Sequence, residues 1–189
     1  MKQIAFFYFI LNCLFGFSQW DITTPMKSNN DSPVERAGDY IQLAIPLAGL
    51  GATYYLDDKD GRKQFWNSYI SSLSITYFLK YSIDKTRPNG DCCESFPSGH
   101  TASAFAGAMF IQNRYGYKYG IPSIALASFV GYSRVEGNKH FWEDVIAGAS
   151  ISALMNFIFT NKKSVESNIN SIITYNPIKG KLFLRFYFK

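Results

Sequence analysis

The sequence predicts an all-α fold: a compact helical bundle of five to six helices, membrane-embedded, with a C-terminal β-hairpin. Three observations carry that expectation. Five stretches, residues 40–56, 64–79, 95–113, 119–133 and 145–161, contain no Asp, Glu, Lys or Arg, and charged or glycine-bearing breaks separate them. Small residues recur inside them, as in Ala102-Ser103-Ala104 and Ala147-Gly148-Ala149-Ser150, and small residues let helix backbones approach closely. If the five helices alternate direction, the breaks holding Lys59, Arg62, Lys63, Arg114, Lys118, Lys162 and Lys163 fall on one side. That asymmetry is the one expected when positive loops stay inside a membrane.

Length counts against spanning. The stretches are 15 to 19 residues long and carry Ser, Thr, Gln and Asn, whereas a comfortable span takes about 20 apolar residues. Buried helices of a soluble bundle therefore stay open as an alternative.

Taken in order, residues 1–19 read as a signal peptide or a first transmembrane helix. Lys2 precedes an apolar run that ends at Ser18-Gln19. Residues 20–39 are polar and turn-rich and read as a linker or a short amphipathic approach segment. Residues 40–161 form the helical bundle. In the tail, residues 162–189, the segments 172–178 and 181–188 are rich in β-branched or aromatic residues and flank Lys179-Gly180, a hairpin pattern.

Composition narrows the function classes. Apolar residues make up 47% of the 189 and charged residues 17%, a low charge content for a soluble domain. The net charge of +5 is not gathered into a basic patch with interleaved aromatics, so nucleic acid is not the expected partner. An anionic membrane surface or a phosphorylated substrate suits it better. The body of the chain holds only Cys92 and Cys93. Neighbouring cysteines bridge with difficulty, given ordinary disulfide geometry, and two unbridged thiols are expected.

Chemistry concentrates in three short motifs: Lys80 with Arg87-Pro88, then Pro97-Ser98-Gly99-His100, then Ser133-Arg134 with His140 and Asp144. They include both histidines of the chain. Phosphoryl transfer is mostly positioning and charge stabilisation. Lys80, Arg87 and Arg134 supply three cations, and the arginine forks match phosphate oxygens. Ser98-Gly99 opens a helical run whose first N–H groups and dipole favour an anion. A neutral imidazole can attack phosphorus while a second one donates a proton to the departing oxygen. His140, with Asp144 four residues on to fix its tautomer, reads as the nucleophile, and His100 as the acid. Taken singly, each residue has a structural reading as a core histidine, a helix-end charge or a turn. Those readings do not explain why all the parts occur together and in order. Asp84, Asp91 and Glu94 form no recognisable metal-ligand set, and the chemistry as read requires no cofactor.

The three motifs resemble those of the type 2 phosphatidic acid phosphatase family, a fold shared with bacterial acid phosphatases and vanadium haloperoxidases, over roughly residues 40–160. The resemblance implies an all-helical, metal-independent core. In it Lys80, Arg87, Ser98, Gly99 and Arg134 bind phosphate, His140 is the nucleophile, Asp144 orients it and His100 is the general acid. Membrane members of the family have six spans and a site facing away from the cytoplasm. Phe141-Trp142-Glu143, between His140 and Asp144, are bulkier and more acidic than is common there. The expected activity is phosphate release from an envelope lipid at the inner membrane, through a phosphohistidine. Candidate substrates are lipid A, undecaprenyl diphosphate, phosphatidyl glycerophosphate and phosphatidate, with lipid A favoured. Alternatives are a soluble periplasmic acid phosphatase on small phosphomonoesters, a vanadium-dependent haloperoxidase, and a non-enzymatic anion-binding envelope protein. Oligomeric state is not legible in the sequence.

Overall fold

The computed structural model describes residues 32–163, 169–176 and 181–188. The expected signal or first helix, residues 1–19, lies outside the described residues. Five helices follow: α1 Pro33–Tyr55, α2 Lys59–Ser82, α3 Gly99–Tyr115, α4 Tyr117–Glu136 and α5 Trp142–Phe159. The antiparallel strands β1 Ile169–Asn176 and β2 Lys181–Phe188 pair from Asn176 opposite Lys181 to Ile169 opposite Phe188. The hairpin is thus present, with its first strand shifted towards the N-terminus of residues 172–178.

The linker reading fails over residues 33–39, which open α1. Ser32 caps that helix, its hydroxyl accepting from the Glu35 N–H at 3.1 Å, and Pro33 fills the first position, where no donor is needed. The carboxylates of Glu35 and Asp39, polar enough in sequence to suggest a loop, are turned inward. Asp58 caps α2 by accepting from Gly61 N–H at 3.0 Å. Gly116 ends α3 and begins α4 at φ 89, a left-handed corner that glycine adopts without a Cβ clash.

Helix α3 is the axis of the bundle, with residues buried on nearly every face from Thr101 to Ile111. Its small side chains make this geometry available. A Cβ on Gly107 would come within 2.6 Å of Pro46 Cα, so α1 and α3 touch backbone to backbone. A polar seam joins α5 to the same helix: Ser152 donates to the Ala102 carbonyl at 2.7 Å and Asn156 to the Ala106 carbonyl at 3.1 Å. The apolar core is modest. Phe65 and Phe110 meet edge to face at 5.1 Å, with Ile45, Ile111, Ala127 and Val130 around them.

Large apolar side chains instead cover the outside: Leu47 is 65% exposed, Phe78 66%, Ile146 61% and Phe157 82%. Polar side chains face inward on α2 and α5, as Ser68, Ser72, Thr76, Ser152 and Asn156 do, which lowers the mean hydropathy of those helices. Among the described residues no helix is long and apolar enough to cross a membrane.

The alternation of direction sets up the site. Helices α2 and α4 end, and α3 and α5 begin, at one end of the bundle, and α1 begins there too. All three motifs therefore fall at that end. The breaks rich in Lys and Arg fall at the other, where Lys163 N–H donates to the Arg114 carbonyl at 3.0 Å and its Nζ to the Leu56 carbonyl at 3.3 Å.

Candidate active site

Each motif is placed by a helix end. Lys80 sits in the last turn of α2 and Arg134 in the last turn of α4, where the helix dipole favours cations. Ser98 caps α3: its oxygen accepts from Thr101 N–H at 3.4 Å and from the Thr101 hydroxyl at 3.0 Å. A Cβ on Gly99 would meet the Tyr77 hydroxyl at 3.7 Å, ordinary van der Waals contact, so this turn is packed against Tyr77 without crowding. His100 is the second residue of α3 and Asp144 the third of α5.

Two loops then close the motifs on one another. Residues 83–98 fold back through Ser95 N–H to the Lys85 carbonyl at 2.9 Å and Arg87 N–H to the Asp91 carbonyl at 2.9 Å. Asn89 N–H reaches the Asn138 carbonyl at 3.2 Å and Ser98 N–H the Asp144 carbonyl at 3.0 Å, joining all three motifs. Lys80 Nζ donates to the Glu94 carbonyl at 2.6 Å. Arg87 has its Nε buried without a hydrogen-bond partner, a donor left for something the protein does not supply. Cys92 and Cys93 lie side by side in this loop with their sulfurs in contact.

His140 is nearly buried, and its Nδ1 lies 2.7 Å from the Ser95 carbonyl oxygen. A carbonyl oxygen only accepts, so Nδ1 carries the proton and Nε2 the lone pair. Burial first, then the charges of Lys80 and Arg87, hold the imidazole pKa below its ordinary value of 6.5, against the pull of the Ser95 carbonyl. The ring is neutral at pH 7.

The expected direct bond from Asp144 to His140 is not formed. Asp144 Oδ2 stands 3.7 Å from Nδ1, beyond hydrogen-bond length, because the Ser95 carbonyl occupies that position. Asp144 acts one residue further back. It accepts from the Ser95 hydroxyl at 2.5 Å, from Phe141 N–H at 2.9 Å and from Lys85 Nζ at 2.6 Å. Ser95 is thus the hinge, its carbonyl on the histidine and its hydroxyl on the carboxylate. Lys85 also reaches Glu143 at 2.5 Å and lies 4.8 Å from the centre of the Phe141 ring. Burial opposes its charge, but the bonds to Asp144 and Glu143 outweigh that and keep its pKa above the usual value.

On the other flank, Arg134 is gripped from several sides. Its Nη2 donates to the Glu35 carbonyl at 2.6 Å and to the Ser133 hydroxyl at 3.1 Å, and its Nε to that hydroxyl at 3.2 Å. Asp39 Oδ1 lies 2.8 Å from Nη1 and 3.3 Å from His100 Nε2. Lys139 pairs with Glu35 at 3.6 Å.

All eight expected site residues gather at this end of the bundle. Four others, Glu35, Asp39, Lys85 and Ser95, escape a motif reading. The first two carried a signal, since carboxylates four apart share one helix face, but the linker reading concealed it. Ser95 works partly through its backbone, which no sequence pattern marks. Among the described residues no group of three or more His, Cys, Asp or Glu side chains is placed to hold a metal ion.

The lipid A 1-phosphatase of Porphyromonas gingivalis is 36% identical over 133 residues, 65% of this chain and 29% of that protein. The chain thus spans less than a third of that relative's length. The lipid A 4'-phosphatase of Helicobacter pylori is 39% identical over 140 residues, 68% of this chain and 70% of that protein. The crystal structure of Aquifex aeolicus LpxE superposes with a TM-score of 0.53 at 22% identity, covering 69% of this chain and 87% of that one, a likeness of fold. A family model for the PAP2 superfamily matches residues 63–165, more than half of the sequence and all three motifs. The chain belongs to the PAP2 superfamily.

Proposed function

We propose that the protein is a phosphatase that releases inorganic phosphate from a phosphorylated envelope lipid through a phosphohistidine at His140. The observation that carries this reading is the 2.7 Å contact from His140 Nδ1 to the Ser95 carbonyl. It leaves Nε2 unprotonated in a neutral ring, beside Lys80 and Arg87, whose charges bear on that ring.

The chemistry balances in two steps. The Nε2 lone pair attacks phosphorus and the bond to the lipid oxygen breaks. The leaving oxygen takes a proton from His100 and departs as an alcohol, or as a phosphate when the substrate is a diphosphate. Water then attacks the phosphohistidine, His100 takes a proton from that water, and the P–N bond breaks to free His140 and phosphate. Lys80, Arg87, Arg134 and the N–H groups after Ser98-Gly99 stabilise the charge on the three equatorial oxygens. The Ser95 carbonyl, with Asp144 behind it, stabilises the positive charge that develops on the His140 ring.

A lipid substrate is supported by the exposed apolar flanks and by two relatives named as lipid A phosphatases. The favoured substrate is accordingly a phosphate monoester of lipid A. An inner-membrane position with the site facing the periplasm is supported by Lys59, Arg62, Lys63, Arg114, Lys118, Lys162 and Lys163 at the end away from the motifs.

The test is phosphate release by the purified protein from lipid A, phosphatidate and undecaprenyl diphosphate in one detergent. The expected result is turnover on at least one lipid, an acid-labile radiolabelled phosphoenzyme, and loss of both in His140→Ala. Unchanged release by His140→Ala would sink the phosphohistidine.

A further inference from the structure

A second carboxylate enters the site from a part of the chain that no motif covers. Asp39 lies on α1, ahead of residues 63–165 matched by the family model. One of its oxygens, Oδ1, faces two site residues from different helices: His100 Nε2 on α3 at 3.3 Å and Arg134 Nη1 on α4 at 2.8 Å. His100 has its side chain 37% exposed, while Arg134 is 4% exposed and Asp39 17%. The carboxylate therefore forms a floor beneath a histidine that still faces outward.

We propose that Asp39 is a positioning residue for the acid, fixing which nitrogen of His100 delivers the proton. Oδ1 is buried and closes no hydrogen bond at rest, so it is the acceptor open to Nε2–H of His100 in the reacting state, and the other ring nitrogen, Nδ1, is left as the site of exchange. In the first step Nδ1–H goes to the leaving oxygen. In the second, the bare Nδ1 takes the proton from water, while Nε2–H stays on Asp39 throughout.

The same oxygen has a second effect. Arg134 has its Nε and Nη2 committed to Ser133 and the Glu35 carbonyl. Its Nη1 pairs with Asp39 Oδ1 at 2.8 Å and with Glu35 Oε1 at 3.9 Å, so Asp39 sets the direction of that arm of the fork. Acid and anion clamp are thus held in one register by a single carboxylate. The charged groups that bear on His100 are Asp39 from α1, Lys80 from α2 and Arg134 from α4, with His140 from the loop after α4. Asp39 is the carboxylate in contact with the ring, and its charge favours the imidazolium from which the first step starts.

This inference rests on the phosphatase reading, and leaving-group dependence separates the two. A departing alkoxide needs a proton, whereas p-nitrophenolate departs readily without one. For wild type and Asp39→Asn, kcat/KM would be measured with a short-chain alkyl phosphate and with p-nitrophenyl phosphate. The expected result is a loss of about 100-fold on the alkyl substrate and at least about tenfold less on the aryl one, the range of one general-acid contribution. His100→Gln is expected to show the same split, and the double variant no further loss. Asp39→Glu, which keeps the charge, should recover part of the alkyl rate. Equal losses on both substrates would overturn the proposal, since a misplaced Arg134 or a damaged fold strikes both alike. So would an intact alkyl rate. A wild-type protein that releases phosphate from neither substrate overturns the phosphatase reading instead.

Discussion

The two ends of the bundle each bury an arginine against a carboxylate, and they use it in opposite ways. At the end away from the motifs, Arg114 meets Asp58 through two bonds, Nε to Oδ2 at 2.7 Å and Nη2 to Oδ1 at 2.5 Å, and Nη1 reaches the Asn161 carbonyl at 3.0 Å. The Tyr115 hydroxyl adds a donor to Asp58 at 3.2 Å. Every group there has a partner within the protein, and the cluster ties α2, α3 and the chain after α5 together. At the motif end the cations outnumber the carboxylates they touch. Arg87 keeps a buried donor unpaired, and Lys80 is held by a carbonyl. The first end is closed electrostatically, while the second awaits an anion. Both stand on a glycine. A Cβ on Gly61 would come within 2.6 Å of the Asp58 carboxyl carbon and 3.1 Å of Arg114 Nε, and one on Gly38 within 2.9 Å of Arg134 Nη2.

Swapping the same substitution between the ends should break the comparison most sharply. Arg134→Met is expected to lower kcat/KM about a thousandfold, in the range of an anion-stabilising group, and also to lower the melting temperature, since it leaves Glu35 and Asp39 without their arginine. Arg114→Met leaves Asp58 buried and uncompensated, which costs about 3–5 kcal/mol of stability, with kcat of the surviving folded protein unchanged. Phosphate-release kinetics and thermal melts in detergent read both, and equal effects on activity would erase the distinction.

Next in size is the route from Asp144 to His140. Asp144→Asn and Ser95→Ala should each lower kcat about 10- to 100-fold, the span typical of partners that orient a reactive group. Since the hydroxyl of Ser95 is the link between them, the double variant should lose little more than either single one. Multiplying losses would show that Asp144 acts on the histidine directly.

The glycines offer a smaller contrast. Gly38→Ala should lower kcat/KM about tenfold by displacing Arg134, and Gly61→Ala should cost about 1–3 kcal/mol, an overpacking penalty. Reversed readouts would put the structural and catalytic arginines the other way round.

The mildest effect is on acid stability. The His140 pKa is held below 6.5, so the unfolded chain takes up its proton first and stability falls as pH drops below that value. Asp58 is held down, chiefly by Arg114, from 3.8 to about 2. Its contribution is present above 3.8 and lost as pH falls towards 2. Stability measured against pH should therefore decline in two stages. His140→Gln should flatten the upper stage and Asp58→Asn the lower one.

Much of this is legible in the sequence alone. The charge-free stretches locate α2 to α5, and the three motifs name the eight residues that meet at one end. Boundaries were less legible, because α1, α2 and α4 extend through charged residues that face inward, at Glu35, Lys80 and Arg134. Asp39 was hidden for the same reason. Asp144 lies among the other motif residues but not in contact with the ring it was expected to touch.

By itself the sequence determined the inventory of the chemistry and its order along alternating helices, because hydrophobic pattern and residue type are local properties. The tertiary structure alone decided who touches whom. That Ser95 stands between Asp144 and His140, and that Asp39 joins His100 to Arg134, follow from how two loops and a first helix close over the end of α3. Hydrogen bonds act over about 3 Å, and no spacing along the chain sets a distance across it to that accuracy.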